Sequence, residues 1–207
     1  MDELKVFIQS RQKLNLIMVL VNIVVFLLLS VIGNTGSASF MLAHGAAYTP
    51  YIFENGEYYR LFSSMFLHFG IQHLVYNMLL LIFLGDSLEK LTGKVRYLII
   101  YLLGGLAGNL LSAFIEMHSA EYKMGISGGA VSAGASGAIF AVLGAMVWIV
   151  FCHKGRIAGY SMKRLLIMVA LSVAEGFTSS GVDAWAHLGG LLGGLILAIL
   201  LYRPKET

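Results

Sequence analysis

Charge is scarce in this sequence, and the scarcity excludes most soluble folds. Only 12% of the 207 residues are Asp, Glu, Lys or Arg, against 58% hydrophobic, whereas an average soluble domain carries about 25% charged residues. At a mean hydropathy of +0.81, a water-soluble fold cannot hide so much apolar surface. Cysteine is nearly absent too. The single Cys152 excludes an intrachain disulfide and the paired thiolates of a structural zinc site, and reads as a small buried residue. A basic stripe is also missing: the net charge of +3 comes from Lys and Arg in short clusters between apolar runs, which report membrane topology and argue against nucleic acid as a partner. No low-complexity tail, tandem repeat of fixed period or appended soluble domain is visible. Neither a metal nor a cofactor is expected.

What is abundant is apolar runs near the ~20 residues needed to cross a bilayer. Six spans are expected, near 14–33, 72–91, 95–117, 136–152, 162–179 and 182–202. They make an all-α polytopic membrane protein of one domain, 1–207. The first run follows Lys5, Arg11 and Lys13 but exceeds the apolar core of a signal peptide, roughly 7–15 residues, and reads as a retained helix. Of the 14 Lys and Arg, 12 fall on one side: three before the first span, Lys90, Lys94 and Arg96, then Lys154, Arg156, Lys163 and Arg164, then Arg203 and Lys205. Only Arg60 and Lys123 lie opposite. The positive-inside rule then puts both termini in the cytoplasm, in a cell (plasma or inner) membrane.

Asn34 to Phe69 is too long for a hairpin and mixes aromatics with few charges, as expected of an outer loop lying partly in the interface. The fourth span, Ser136 to Cys152, covers about 26 Å at the helical rise, short of the ~30 Å hydrocarbon core. Its outer end therefore starts below the surface. The preceding Gly125 to Ala135 must descend as irregular backbone, tolerable only inside protein or beside water. A buried aqueous pocket is implied.

Ser136 stands where this glycine-rich loop becomes a helix. The free N–H groups and the positive end of the helix dipole there suit a developing oxyanion, and the flanking Gly134 and Gly137 admit close backbone approach. A helix-packing face is the alternative, since Gly144 lies one heptad beyond Gly137. His187 lies about one turn below the outer end of the sixth span, at a depth like that of Ser136. An ionisable side chain there implies function, with an interhelical packing bond as the alternative. Gly189, Gly190, Gly193 and Gly194 would let its helix approach a neighbour closely, with the glycine-lined fourth span as the candidate. His73 and Asn77 share a face of the second span, either as interhelical glue or as side-chain donors to an oxyanion; His68 supports that region. A serine is a poor nucleophile alone, so His187 would take its proton and return it to the leaving amine. Asp183, four residues earlier, is open as a third member. Phe140, four residues after Ser136, is the better candidate to hold the imidazole by stacking, or else an ordinary core aromatic.

HFGIQHLVYN (His68, His73, Asn77), GASGAIFAVLGA from Gly134, and VDAWAHLGGLLGG from Val182 together resemble the rhomboid intramembrane serine proteases in their minimal six-helix form. The resemblance implies Ser136 as nucleophile, His187 as general base and acid, and His73 with Asn77 as oxyanion donors beside the Ser136 N–H. It implies as substrate another protein's transmembrane segment, cut near its outer end within the lipid bilayer. It further implies an entry route beside the fifth span, whose end Glu175 to Gly181 would form a mobile cap. Where many relatives have Trp-Arg in the first outer loop, this chain has Tyr59-Arg60. Two rivals stand beside it: a non-catalytic rhomboid-like binder of membrane clients, and a small ion or proton transporter using the same histidines.

Overall fold

The computed structural model describes residues 10–125, 129–178 and 181–204. Lys5, Lys205, Ser179, Ser180 and the Ile126-Ser127-Gly128 part of the glycine-rich loop lie outside the described residues. Among the described residues six longer helical segments carry the fold: α1 Lys13–Ile32, α2 Gly70–Thr92, α3 Lys94–His118, α4 Ser136–Cys152, α5 Met162–Thr178 and α6 Ala184–Leu201. By length and composition α1, α2, α3 and α6 are able to cross a membrane. The other two, α4 and α5, have 17 residues each, below the ~20 of a full span.

Burial explains the order of the layers. From Gly137 to Met146 every residue of α4 is buried, as expected of a helix apolar all round and enclosed by others. α3 and α6 enclose it. Their approach depends on missing side chains: a Cβ on Gly190 would overlap the Gly137 carbonyl, and one on Gly194 the Ala141 carbonyl. These pairs advance together along both helices, so α4 and α6 run parallel in direct backbone contact, the geometry small residues allow between apolar helices. α1 is peripheral, and its buried residues Asn15, Val19, Asn22 and Phe26 form one stripe at helical spacing.

Two polar anchors fix the periphery. The Glu89 carboxylate of α2 accepts the N–H groups of Leu14 (3.3 Å) and Asn15 (2.6 Å), and Asp86 accepts that of Gln12 (2.6 Å). Orphan donors of the α1 N-terminus are thus satisfied by carboxylates placed where the helix dipole favours them. Beside them Tyr97 donates to Asn15 Oδ1 (2.8 Å). Within α2, Leu81–Gly85 forms a π-turn, and a Cβ on Gly85 would overlap Asn15 Oδ1.

The segment between α1 and α2 is ordered more than a loop need be. It holds short helices at Ala38–Ala43, Thr49–Phe53 and Arg60–Ser63 and a 3₁₀ turn at Ser64–Phe66. Arg60, 4% exposed, donates to the carbonyls of Leu42 (2.7 Å) and Ala46 (2.9 Å) and to Glu57 (2.7 Å). Its guanidinium also lies over the rings of Tyr51 and Tyr59. Arg60 holds the Glu57 carboxyl below its ordinary range. Between α4 and α5 a two-stranded hairpin, Arg156–Ile157 with Tyr160–Ser161, replaces a simple turn.

Candidate active site

Ser136 owes its position to a fastened loop. Ser132 pairs antiparallel with Ala47 (2.8 and 2.9 Å), and the Gly134 N–H donates to the Ser64 carbonyl (2.9 Å). The Ala135 N–H points at His68 Nε2 (3.5 Å). α4 begins at the next residue, which leaves its first N–H groups without intrahelical acceptors, beside the half-buried Ser136 hydroxyl.

Gly134 shows what faces that hydroxyl. Its φ of +151° disfavours any other residue, and a Cβ there would sit 2.8 Å from His73 Cε1, 3.0 Å from His73 Nε2 and 3.6 Å from Ser136 Oγ. The His73 ring and the Ser136 hydroxyl therefore border the same small space. His68, fully buried, meets His73 edge-on at 5.3 Å, and burial pushes its own pKa down to about 3. It is a neutral acceptor behind the loop. Asn77 is buried and donates to the His73 carbonyl in its own helix (3.0 Å); no bond from its amide reaches the Ser136 loop among the described residues.

His187 lies against α4. Its ring stacks on Phe140 with centroids 4.1 Å apart and planes at 12°. Gly190, three residues on, touches Gly137, so the imidazole stands level with the first turn of α4, where Ser136 begins it. His187 Nδ1 is buried with no hydrogen-bond partner among the described residues. Asp183 is committed elsewhere: its carboxylate accepts from Ser112 (2.7 and 2.8 Å), Ser132 (2.9 Å) and the Ala186 N–H (2.9 Å). It caps α6 and ties that helix to α3 and to the loop before Ser136. No hydrogen bond joins this carboxylate to His187 Nδ1 among the described residues.

A polar stripe on α3 went unread in the sequence. Asn109 donates to the Leu61 carbonyl (2.7 Å) and Ser64 Oγ (3.0 Å), Ser112 donates to Asp183, and Glu116 accepts from Thr49 Oγ1 and the Ala130 N–H (2.6 Å). Their spacing of three and four puts all three on one helical face. Polar residues recurring on one stripe of an apolar span are the signal that would have found them.

Apolar helices packed through glycine, with a serine, three histidines and a satisfied polar stripe at one end, define an integral membrane protein of helical-bundle type. Residues 55–204 match the Rhomboid domain, and the chain belongs to the rhomboid family. It is 30% identical over 203 residues to Rhomboid protease GluP of Bacillus subtilis, covering 98% of this chain and 38% of that protein. It is 33% identical over 152 residues to YdcA of the same species, covering 73% and 71%. To RHOMBOID-like protein 1 of Arabidopsis thaliana it is 35% identical over 168 residues, covering 78% and 39%. The chain thus spans about two fifths of the length of GluP and of RHOMBOID-like protein 1.

Proposed function

We infer that the chain is an intramembrane serine endopeptidase, a single rhomboid-like domain of six membrane-spanning helices that cuts transmembrane segments of other proteins near the outer side of the bilayer. The observation that carries this reading is the His187 ring stacked on Phe140, one turn along α4 from Ser136, where Gly137 and Gly190 bring the two helices into contact. The short α4 supports it as well, because a helix beginning at Ser136 leaves the hydroxyl below the surface yet beside the polar loop.

The chemistry then runs in two stages. Ser136 Oγ attacks the scissile carbonyl carbon while the neutral His187 imidazole takes the hydroxyl proton. The oxyanion forms beside the Ser136 N–H, with His73 and Asn77 as side-chain donors; losing one such donor typically costs ~10² to 10³ in turnover. Asn77 would first have to turn from its own helix. Collapse breaks the C–N bond, the leaving nitrogen takes the proton from His187, and an acyl-Ser136 remains. Water, deprotonated by His187, attacks the acyl carbon, and as the C–O bond to Ser136 breaks His187 returns that proton to Ser136 Oγ and the acid product leaves. A substrate helix must unwind locally first, since its carbonyls are hydrogen-bonded and sterically shielded.

Purified chain incubated with a labelled transmembrane substrate tests this, with Ser136→Ala and His187→Ala alongside. Both variants are expected to lose cleavage, by roughly 10³-fold or more, while eluting as folded protein. Cleavage surviving in both refutes the dyad. No cleavage by the unaltered chain, with clients still retained, favours the non-catalytic binder.

A further inference from the structure

The polar end of the fold opposite Ser136 holds a second feature. Between Glu121 and Glu175 the sequence contains no Asp or Glu, yet Lys154, Arg156, Lys163 and Arg164 crowd the connection from α4 to α5. That connection is built, not slack. Arg156 pairs with Ser161 and Ile157 with Tyr160, and the two residues between, Ala158 (φ 51°) and Gly159 (φ 82°), both adopt positive φ, as a tight two-residue hairpin turn demands. Tyr160 pins the hairpin to α2 through the Phe83 carbonyl (3.2 Å) and Ser87 Oγ (3.1 Å).

The hairpin and the first turn of α5 border a half-open surface cavity of about 460 Å³ lined by Arg156 to Ser161 and Arg164. The strand register sets Arg156 beside Ser161, and Arg164 follows Ser161 by three residues, its N–H on the Ser161 hydroxyl (3.4 Å). Neither guanidinium has an acidic or hydrogen-bonding partner among the described residues. Two planar forks left open around one cavity suit a phosphate oxyanion, which arginine holds with paired N–H bonds. The surroundings name its source. Leu166 and Ile167 of α5 and Phe83 of α2, next to the site, are each about half exposed; acyl chains would cover them and a free anion would not.

We propose that Arg156, Arg164 and Ser161 form a binding site for the headgroup phosphate of an anionic phospholipid. The site stands at the far end of α4 from Ser136 and does not rest on the protease reading. Basic residues at a membrane surface attract anionic lipid, but that general attraction does not distinguish one cation from another, and this site does.

The test uses the full chain in mild detergent with phosphatidylglycerol and phosphatidylcholine in equal amounts, the bound lipid being weighed by native mass spectrometry. Preference for phosphatidylglycerol is expected. The double variant Arg156→Gln/Arg164→Gln should weaken it by at least about 30-fold, because each guanidinium removed takes away charge-assisted hydrogen bonds to the one phosphate. Lys154→Gln/Lys163→Gln removes the same charge from residues that do not line the cavity, and, with no extended anionic surface in the micelle and screening by salt, should weaken it by less than about three-fold. All four side chains are exposed, so both variants should fold. Equal loss in both variants, or loss in neither, overturns the site in favour of diffuse attraction or none. Displacement of the lipid by millimolar inorganic phosphate overturns the lipid as occupant.

Discussion

Asp183 illustrates how a residue's neighbours decide its role. In sequence it stands one turn before His187, near enough on the same helical face to orient the imidazole, and position alone leaves that open. The structure spends its two oxygens on Ser112, Ser132 and the Ala186 N–H, so its work is to hold α6 and the loop before Ser136 in register. Asp183→Asn keeps an oxygen for the cap and is expected to lower kcat by no more than about ten-fold, where removal of a triad acid's charge costs ~10⁴ in a soluble serine protease. Asp183→Ala removes the cap and should lower stability by about 1–2 kcal/mol. Cleavage kinetics on both variants, with thermal melts, check this; a ~10⁴-fold fall in Asp183→Asn with its melt unchanged would restore the triad. Phe140 against His187 is legible beforehand, because the i, i+4 offset from Ser136 and the parallel direction of two helices suffice to align them. Asn109, Ser112 and Glu116 are not, because their partners lie in chain segments 14 to 71 residues away.

At the scale of elements, apolar runs disclose the long helices, since the bilayer fixes their length, while short helices escape. Ala38–Ala43, Thr49–Phe53 and Arg60–Ser63 are too short to show periodicity, and depend on Arg60 reaching carbonyls 14 and 18 residues back. The π-turn in α2 is likewise silent in the sequence. Such tertiary locks have measurable worth. Glu89 is 1% exposed and holds two N–H groups of α1; Glu89→Ala orphans both, at ~1–3 kcal/mol for each buried unsatisfied donor. The apparent Tm is expected to drop by several degrees, roughly 2–4 °C for each kcal/mol in a chain of this size. An unchanged melt would mean that water replaces the carboxylate and that α1 is held by its apolar stripe alone.

For the molecule as a whole, α3, α4 and α6 form a core whose backbones touch through glycine, while α1 and α5 pack outside with fewer contacts. The core carries Ser136 and His187 at one end, and the α4–α5 hairpin with its basic side chains at the other. The same division appears in the charge count, where 12 of 14 Lys and Arg segregate from Arg60 and Lys123. If that bias sets orientation, the serine faces outward and the hairpin the cytoplasm. With Cys152 replaced by serine, a cysteine at Lys123 should react with a membrane-impermeant maleimide in intact cells. One at Lys154 should react only after permeabilisation, since the two sites are separated by the length of α4, about 26 Å at the helical rise. Labelling of both from outside would put the ends of α4 on one side of the bilayer. The polar loop before Ser136 would then have no low-dielectric wall around it, and the wet chamber on which the serine chemistry depends would not exist.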